Sequence, residues 1–189
     1  MRLFVAIEPP DQVLAELSAA TGRLRPAPAE LRWTRRQSWH LTLAFLGEVD
    51  ERVLPDLGIR LERAARRHPP QRLSIAGAGA FPSAARGRVL WAGIQADRQA
   101  LTALANSVAA GARRAGAPPP DEGRKYHPHL TLARCREPTD LTELAADLAG
   151  FAGSTWTASE IALIASYLGA EPRYTELQRW ALRAKTGAQ

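Results

Sequence analysis

Of the four histidines in this 189-residue chain, two head copies of one tetrapeptide, His-Leu-Thr-Leu, at His40 to Leu43 and at His129 to Leu132. In an extended strand, residues i and i+2 share a face. Read as strands, the copies turn His40 and Thr42, and His129 and Thr131, to one side, with Leu41, Leu43, Leu130 and Leu132 turned to the other. The copies begin 89 residues apart, close to half the chain. That spacing predicts two similar lobes, each giving one imidazole and one hydroxyl to a shared cleft. Imidazole titrates near neutrality, so one ring can be neutral while the other is charged. Such a pair supplies a general base and a general acid together. The threonines would donate hydrogen bonds to phosphate oxygens or orient the rings, although strand propensity alone also favours threonine there.

The elements that must hold these groups read as strands and helices in two rounds. Leu3 to Ile7 is an expected strand, stopped by Pro9 and Pro10, and Asp11 is an expected N-cap for a helix to about Gly22. Trp39 to Leu46 is the first motif strand, ended by Gly47. Asp50 to Arg67 reads as a helix, with Val53, Leu57 and Leu61 along one face. Strands are expected at Arg72 to Ala78 and Val89 to Ala96, around a loop from Gly79 to Arg88. Asp97 should cap a helix to about Arg114. After a proline-rich surface loop from Gly116 to Gly123, the second motif strand opens at Pro128. A short helix from Thr139 to Ala149 follows, and a hairpin of Glu160 to Leu168 and Arg173 to Arg183 around Gly169 to Pro172 closes the chain. Each motif strand is followed by a turn and an acid-started helix. The expected fold class is therefore α+β, a pseudo-duplicated bilobal fold. Two antiparallel or mixed sheets face a central cleft with helices outside, and residues 1–189 form one domain.

Composition narrows the partners. The chain carries 25 basic and 19 acidic residues, a formal charge of +6, and only Lys125 and Lys185 are lysines. Arginine forks bind phosphate bidentately, so this balance suits an anionic partner, and equally a solvated basic surface. Arg32, Arg35 and Arg36, ahead of the first motif in the company of Trp33 and Trp39, fit either an RNA-guiding segment or a solvated loop. Cys135 is the only cysteine, which excludes an internal disulfide and a four-cysteine zinc site, and a reducing cytoplasm is the expected location. No window holds 18 uncharged apolar residues, so no membrane partner is expected. Nothing requires an oligomer, and a monomer is expected. His127 and His129 lie two apart and could chelate a metal with His40, but carboxylates are sparse near both motifs and Pro128 separates the pair. No metal or other cofactor is expected. His68 reads as a helix-end residue and Cys135 as a buried, inert thiol.

The paired H-x-T motifs resemble the 2H phosphoesterase superfamily. The wider surround resembles its bacterial and archaeal RNA 2′,3′-cyclic phosphodiesterase branch, historically called 2′-5′ RNA ligase. The likeness runs through RLFVAIEPP near the start, RWTRRQSWHLTLAFLGEV, GAFPSAARGRVLWAGI, KYHPHLTLAR and ASYLGAEPRYTELQRWAL. It implies metal-independent hydrolysis of RNA 2′,3′-cyclic phosphate ends to 2′-phosphomonoesters. On this chain, His40 would protonate the departing 3′ oxygen and His129 would activate water, although a symmetric cleft could exchange the roles. Thr42, Thr131 and Arg134 would hold the phosphate. On an ideal strand Arg134 falls on the Leu130 face, so a bulge or a strand end is needed to bring it to the site. Phe81, His127, Ser166 and Tyr174 are candidates for the substrate rim. Phe81 would stack a base, or pack as a core residue beside Pro82, and Ser166 and Tyr174 equally serve hairpin packing. Ala165 stands where the family often carries an arginine. Opening of ADP-ribose cyclic phosphate, cleavage of 2′-5′ linkages and RNA ligation use the same phosphate chemistry. A basic module that binds RNA without turnover is the alternative outside enzymology.

Overall fold

A computed structural model of the protein describes residues 1–24, 26–120, 125–167 and 173–183. The first lobe is built on β1 (Arg2–Ile7), β3 (Leu41–Glu48), β8 (Glu160–Tyr167) and β9 (Arg173–Ala181). They form a four-stranded antiparallel sheet in the order β3-β1-β8-β9. The second is built on β2 (Arg32–Trp33), β4 (Gln71–Phe81), β5 (Gly87–Ala96), β6 (His129–Thr139) and β7 (Trp156–Ala158). These make a five-stranded antiparallel sheet in the order β2-β6-β5-β4-β7. The helices are α1 (Asp11–Thr21), α2 (Leu54–Ala65), α3 (Arg98–Arg114) and α4 (Thr142–Ala149). α2 packs against α3 and β9, and α4 against β4. One apolar core joins the sheets to the helices through Leu3, Val5, Leu41, Leu57, Leu61, Leu104 and Leu130.

The α+β class and the two-sheet plan match expectation, and both sheets are purely antiparallel. The details differ where tertiary contacts overrule local pattern. The first motif strand begins at Leu41 rather than Trp39, because a 3₁₀ turn over Arg36–Ser38 precedes it. Asp11 is the first helical residue, and Pro10 stands at the N-cap. β4 and β5 run further toward each other than expected, which shortens the Gly79 to Arg88 loop. Thr139 ends β6 instead of opening α4. The short strands β2 and β7 exist only because sheet partners recruit them. Asp97 does cap α3, accepting a hydrogen bond from the Ala100 amide at 3.0 Å. The hairpin tip expected at Gly169 to Pro172 lies outside the described residues.

Each motif strand carries the same irregularity. The β1–β3 register slips between the pairs Ala6–Thr42 and Val5–Ala44, leaving Leu43 extra. The β5–β6 register slips between Trp91–Thr131 and Leu90–Ala133, leaving Leu132 extra. A bulge of this kind adds one residue and reverses the facing of everything after it. Leu43 and Ala44 are therefore both buried, as are Leu132 and Ala133. Phe45 and Arg134 consequently return to the face that carries histidine and threonine.

Hydrogen bonds join the two halves of the chain at these bulges. Thr34, just ahead of the first motif, donates its amide to the Leu132 carbonyl at 2.8 Å. Its hydroxyl lies 2.9 Å from the Thr131 carbonyl and 2.8 Å from that of Leu132, sharing one proton between them. The same oxygen accepts the indole N–H of buried Trp39 at 2.9 Å. In return Tyr126, just ahead of the second motif, donates its hydroxyl to the Thr42 carbonyl at 3.0 Å. Burial raises the Tyr126 phenol well above its usual range, which keeps it a donor.

Thr34→Val keeps the shape of this junction but leaves the Trp39 indole unpaired. It should cost about 1–3 kcal/mol in urea unfolding, and Thr34→Ser should recover most of that. Equal stability of Thr34→Val and wild type would show that the junction is held by packing alone.

Candidate functional site

His40 stands immediately before β3. Its ring stacks on Phe4 with centroids 4.5 Å apart and planes at 24°, and meets the edge of Tyr174 at 5.4 Å. Phe4 reaches that position because β1 alternates. Leu3, Val5 and Ile7 enter the main core, while Phe4 and Ala6 form a second cluster with Ala162, Ile164 and Phe45 on the cleft side. Burial lowers the His40 pKa to about 4. A hydrogen bond to the Ser38 carbonyl opposes the shift, and the positive charge of Arg134 and His129 adds to it.

His129 opens β6. Its Nδ1 lies 2.7 Å from the His127 carbonyl oxygen, which can only accept. Nδ1 therefore carries the proton, and the neutral ring presents Nε2 as its free acceptor. Burial lowers its pKa too, opposed by that carbonyl and reinforced by His127 and Arg134. Both imidazoles thus lean on the backbone two residues upstream, and both feel the same arginine. Phe81 presents its edge to His129 at 5.0 Å and to His127 at 5.2 Å, while Trp91 flanks His127 at 4.9 Å.

The bulges thus bring His129, Thr131 and Arg134 onto one face of the second lobe, and His40 and Thr42 onto the matching face of the first. Arg134 is near enough to both histidines to shift each. Phe81 and His127 sit beside His129 rather than in the core. Ser166 pairs in register with Tyr174 on the His40 side, and Tyr174 remains 37% exposed. Arg32 lies opposite Arg134 in the β2–β6 register. Arg36 is engaged by Asp11, whose carbonyl accepts from it at 2.6 Å. Cys135 is buried, and His68 bonds Ser107 at 2.7 Å outside the cleft. No cluster of three or more metal-ligating side chains occurs among the described residues.

Phe4, Trp91 and Thr34 escaped the sequence reading. Phe4 was within reach, since the two-residue period of RLFVAI separates Arg2, Phe4 and Ala6 from the core-facing residues. Trp91 was not, because its place depends on pairing with Thr131 and on the bare backbone of Gly79. A Cβ on Gly79 would stand 2.3 Å from the Trp91 ring.

A family model described as the 2′-5′ RNA ligase superfamily matches residues 9–170. An RNA 2′,3′-cyclic phosphodiesterase of Thermus thermophilus is 32% identical over 194 residues, covering 100% of this chain and 94% of that protein. Another, from Escherichia coli K12, is 34% identical and covers 96% of each chain. A crystal structure of a Thermus thermophilus protein superposes with a TM-score of 0.81 at 32% identity, over 98% of this chain and 100% of that one. The apo structure of E. coli LigT gives 0.77 at 31% identity, over 97% and 98%. LigT has also been crystallised with 3′-AMP and with phosphate.

The half-buried, desolvated His40 ring makes a prediction about acid stability. A histidine whose folded pKa is depressed stabilises the fold fully above its unfolded value, and that stability is lost as pH falls through the folded one. Between pH 6.5 and about 4 the unfolded chain binds a proton that folded His40 declines. Across this window wild type should lose on the order of 2 kcal/mol more than His40→Gln in urea unfolding. Parallel pH dependences in the two proteins would contradict a neutral, desolvated ring.

Proposed function

The chain belongs to the 2′-5′ RNA ligase superfamily, and from that premise we propose that it is an RNA 2′,3′-cyclic phosphodiesterase that leaves 2′-phosphomonoesters without a metal. One observation carries the reading. Two desolvated imidazoles from different sheets, each braced on a carbonyl two residues upstream, share one arginine in one cleft. A phosphate-binding module without chemistry has no need of two such groups.

With the cleft empty, both rings favour the neutral form. The cyclic phosphodiester brings one negative charge, which raises both pKa values and lets one ring take a proton from solvent. In the proposed reaction Nε2 of His129 removes a proton from water as its oxygen bonds to phosphorus. The bond from phosphorus to the 3′ oxygen breaks, and His40 protonates that oxygen, leaving the phosphate on the 2′ oxygen. The tautomer held by the His127 carbonyl leaves Nε2 of His129 free for that role. Thr42 and Thr131 donate to the non-bridging oxygens, and Arg134 offsets the charge that grows on them. Phe81 and His127 frame the His129 side of the cleft, Ser166 and Tyr174 the other. The protein acts as a monomer on RNA. No described helix is long and apolar enough to cross a membrane. The family description favours a second reaction at the same atoms, in which an RNA 5′-hydroxyl replaces water and a 2′-5′ linkage forms.

The test is turnover of a short RNA ending in a 2′,3′-cyclic phosphate, with product regiochemistry read, in EDTA. Wild type should give the 2′-phosphate with a bell-shaped pH–rate profile. His40→Ala and His129→Ala should each lose about 10²–10⁴-fold in kcat. Loss of wild-type activity in EDTA, or a 3′-phosphate product, would reject the mechanism. Product containing a 2′-5′ linkage when a 5′-hydroxyl RNA is added would establish the second reaction.

A further inference from the structure

We propose that Arg2, with Ser166 and Tyr174, forms a subsite for the phosphodiester one nucleotide upstream of the reacting end, so that the enzyme prefers RNA chains to mononucleotides. The inference rests on the reading of His40 as the acid. In an in-line displacement the attacking water and the departing oxygen lie on opposite sides of phosphorus. The departing oxygen belongs to the terminal ribose. That ribose therefore lies on the His40 side, and the RNA upstream of it follows the wall made by β3, β1, β8 and β9.

On that wall Arg2 pairs in register with Ser166, and Ser166 with Tyr174, so the three project from one face. It is the face of Phe4, on which His40 is stacked. The Tyr174 ring meets both Phe4 and His40 edge-on at 5.4 Å. The row thus starts against the proposed acid and reaches Arg2, two strand positions beyond Phe4, roughly 7 Å along β1.

The pseudo-symmetry of the lobes supplies the second argument. The slot that Arg134 fills after the second bulge is filled by Phe45 after the first. Arg2 returns a positive charge there, with its guanidinium 4.8 Å from the centre of the Phe45 ring. Glu48, opposite Arg2 in the register, is engaged by the amino group of Met1 at 3.3 Å. Among the described residues, no carboxylate forms an ion pair with Arg2. A guanidinium stacked on an aromatic face keeps its in-plane N–H donors free for a phosphate. The hydroxyls of Ser166 and Tyr174 add two donors beside it. A mononucleotide cyclic phosphate has no second phosphate to place there.

The experiment compares kcat/KM for a mononucleotide 2′,3′-cyclic phosphate and for a trinucleotide ending in one. Wild type should favour the trinucleotide by roughly ten- to hundred-fold, the worth of a hydrogen-bonded ion pair. Arg2→Gln should bring the ratio close to one through KM, and Arg2→Lys should recover part of it. Arg63→Gln, exposed on α2, should keep the wild-type ratio. A wild-type ratio near one, or an Arg2→Gln that slows both substrates equally, would overturn the subsite. Binding of a trinucleotide 2′-phosphate is measured alongside. Its log affinity against log salt should flatten by about 0.7 in Arg2→Gln, and an unchanged slope would also overturn the proposal. If wild type turns over neither substrate, the hydrolase reading fails, while the binding arm still decides whether Arg2 holds a phosphate.

Discussion

A strand repeats every two residues, but the second motif strand carries His129, Thr131 and Arg134 on one face, at positions 0, 2 and 5. A regular strand forbids that arrangement. The extra residue at Leu132 resolves the conflict, and Leu43 does the same in the first lobe. A bulge has its own cost, since it frees backbone carbonyls that must find donors. Thr34, just past the neighbouring strand β2, answers the Thr131 and Leu132 carbonyls. The irregularity that aims the arginine is therefore also the point at which the two halves of the chain are joined.

The cleft is electrostatically tense when empty. Two imidazoles and a guanidinium share a half-buried space, and burial and mutual repulsion both hold the rings neutral. The phosphate of the proposed substrate would relieve both at once, by supplying a negative charge and inviting a proton. The hydrogen bonds to the Ser38 and His127 carbonyls keep the rings oriented meanwhile. In the proposed reaction, affinity for an anion and readiness for proton transfer would come from one arrangement.

The lobes are related in backbone but not in chemistry. His40 lies flat on Phe4, whereas His129 meets the edge of Phe81 and neighbours His127 and Trp91. The slot after the bulge holds an aromatic ring in one lobe and a guanidinium in the other. Such differences give a nearly symmetric cleft a direction, which the proposed reaction, with its distinct attacking and leaving oxygens, requires.

The candidate groups were legible in the order of residues. A repeated His-x-Thr with leucines between carries its own two-residue period, and that period survives in any antiparallel sheet with one wet face. The α+β class and the Asp97 cap followed from equally local signals. Other features depended on chain segments far apart in sequence. Whether Arg134 joined the site turned on one inserted residue, and a bulge is defined only by the partner strand it mispairs with. β2 and β7 needed neighbours to exist, and Trp91 needed a glycine on the adjacent strand to lie down. Local sequence determined which groups were available and which way each strand alternated. Only the tertiary structure decided register, and register decides which of those groups meet.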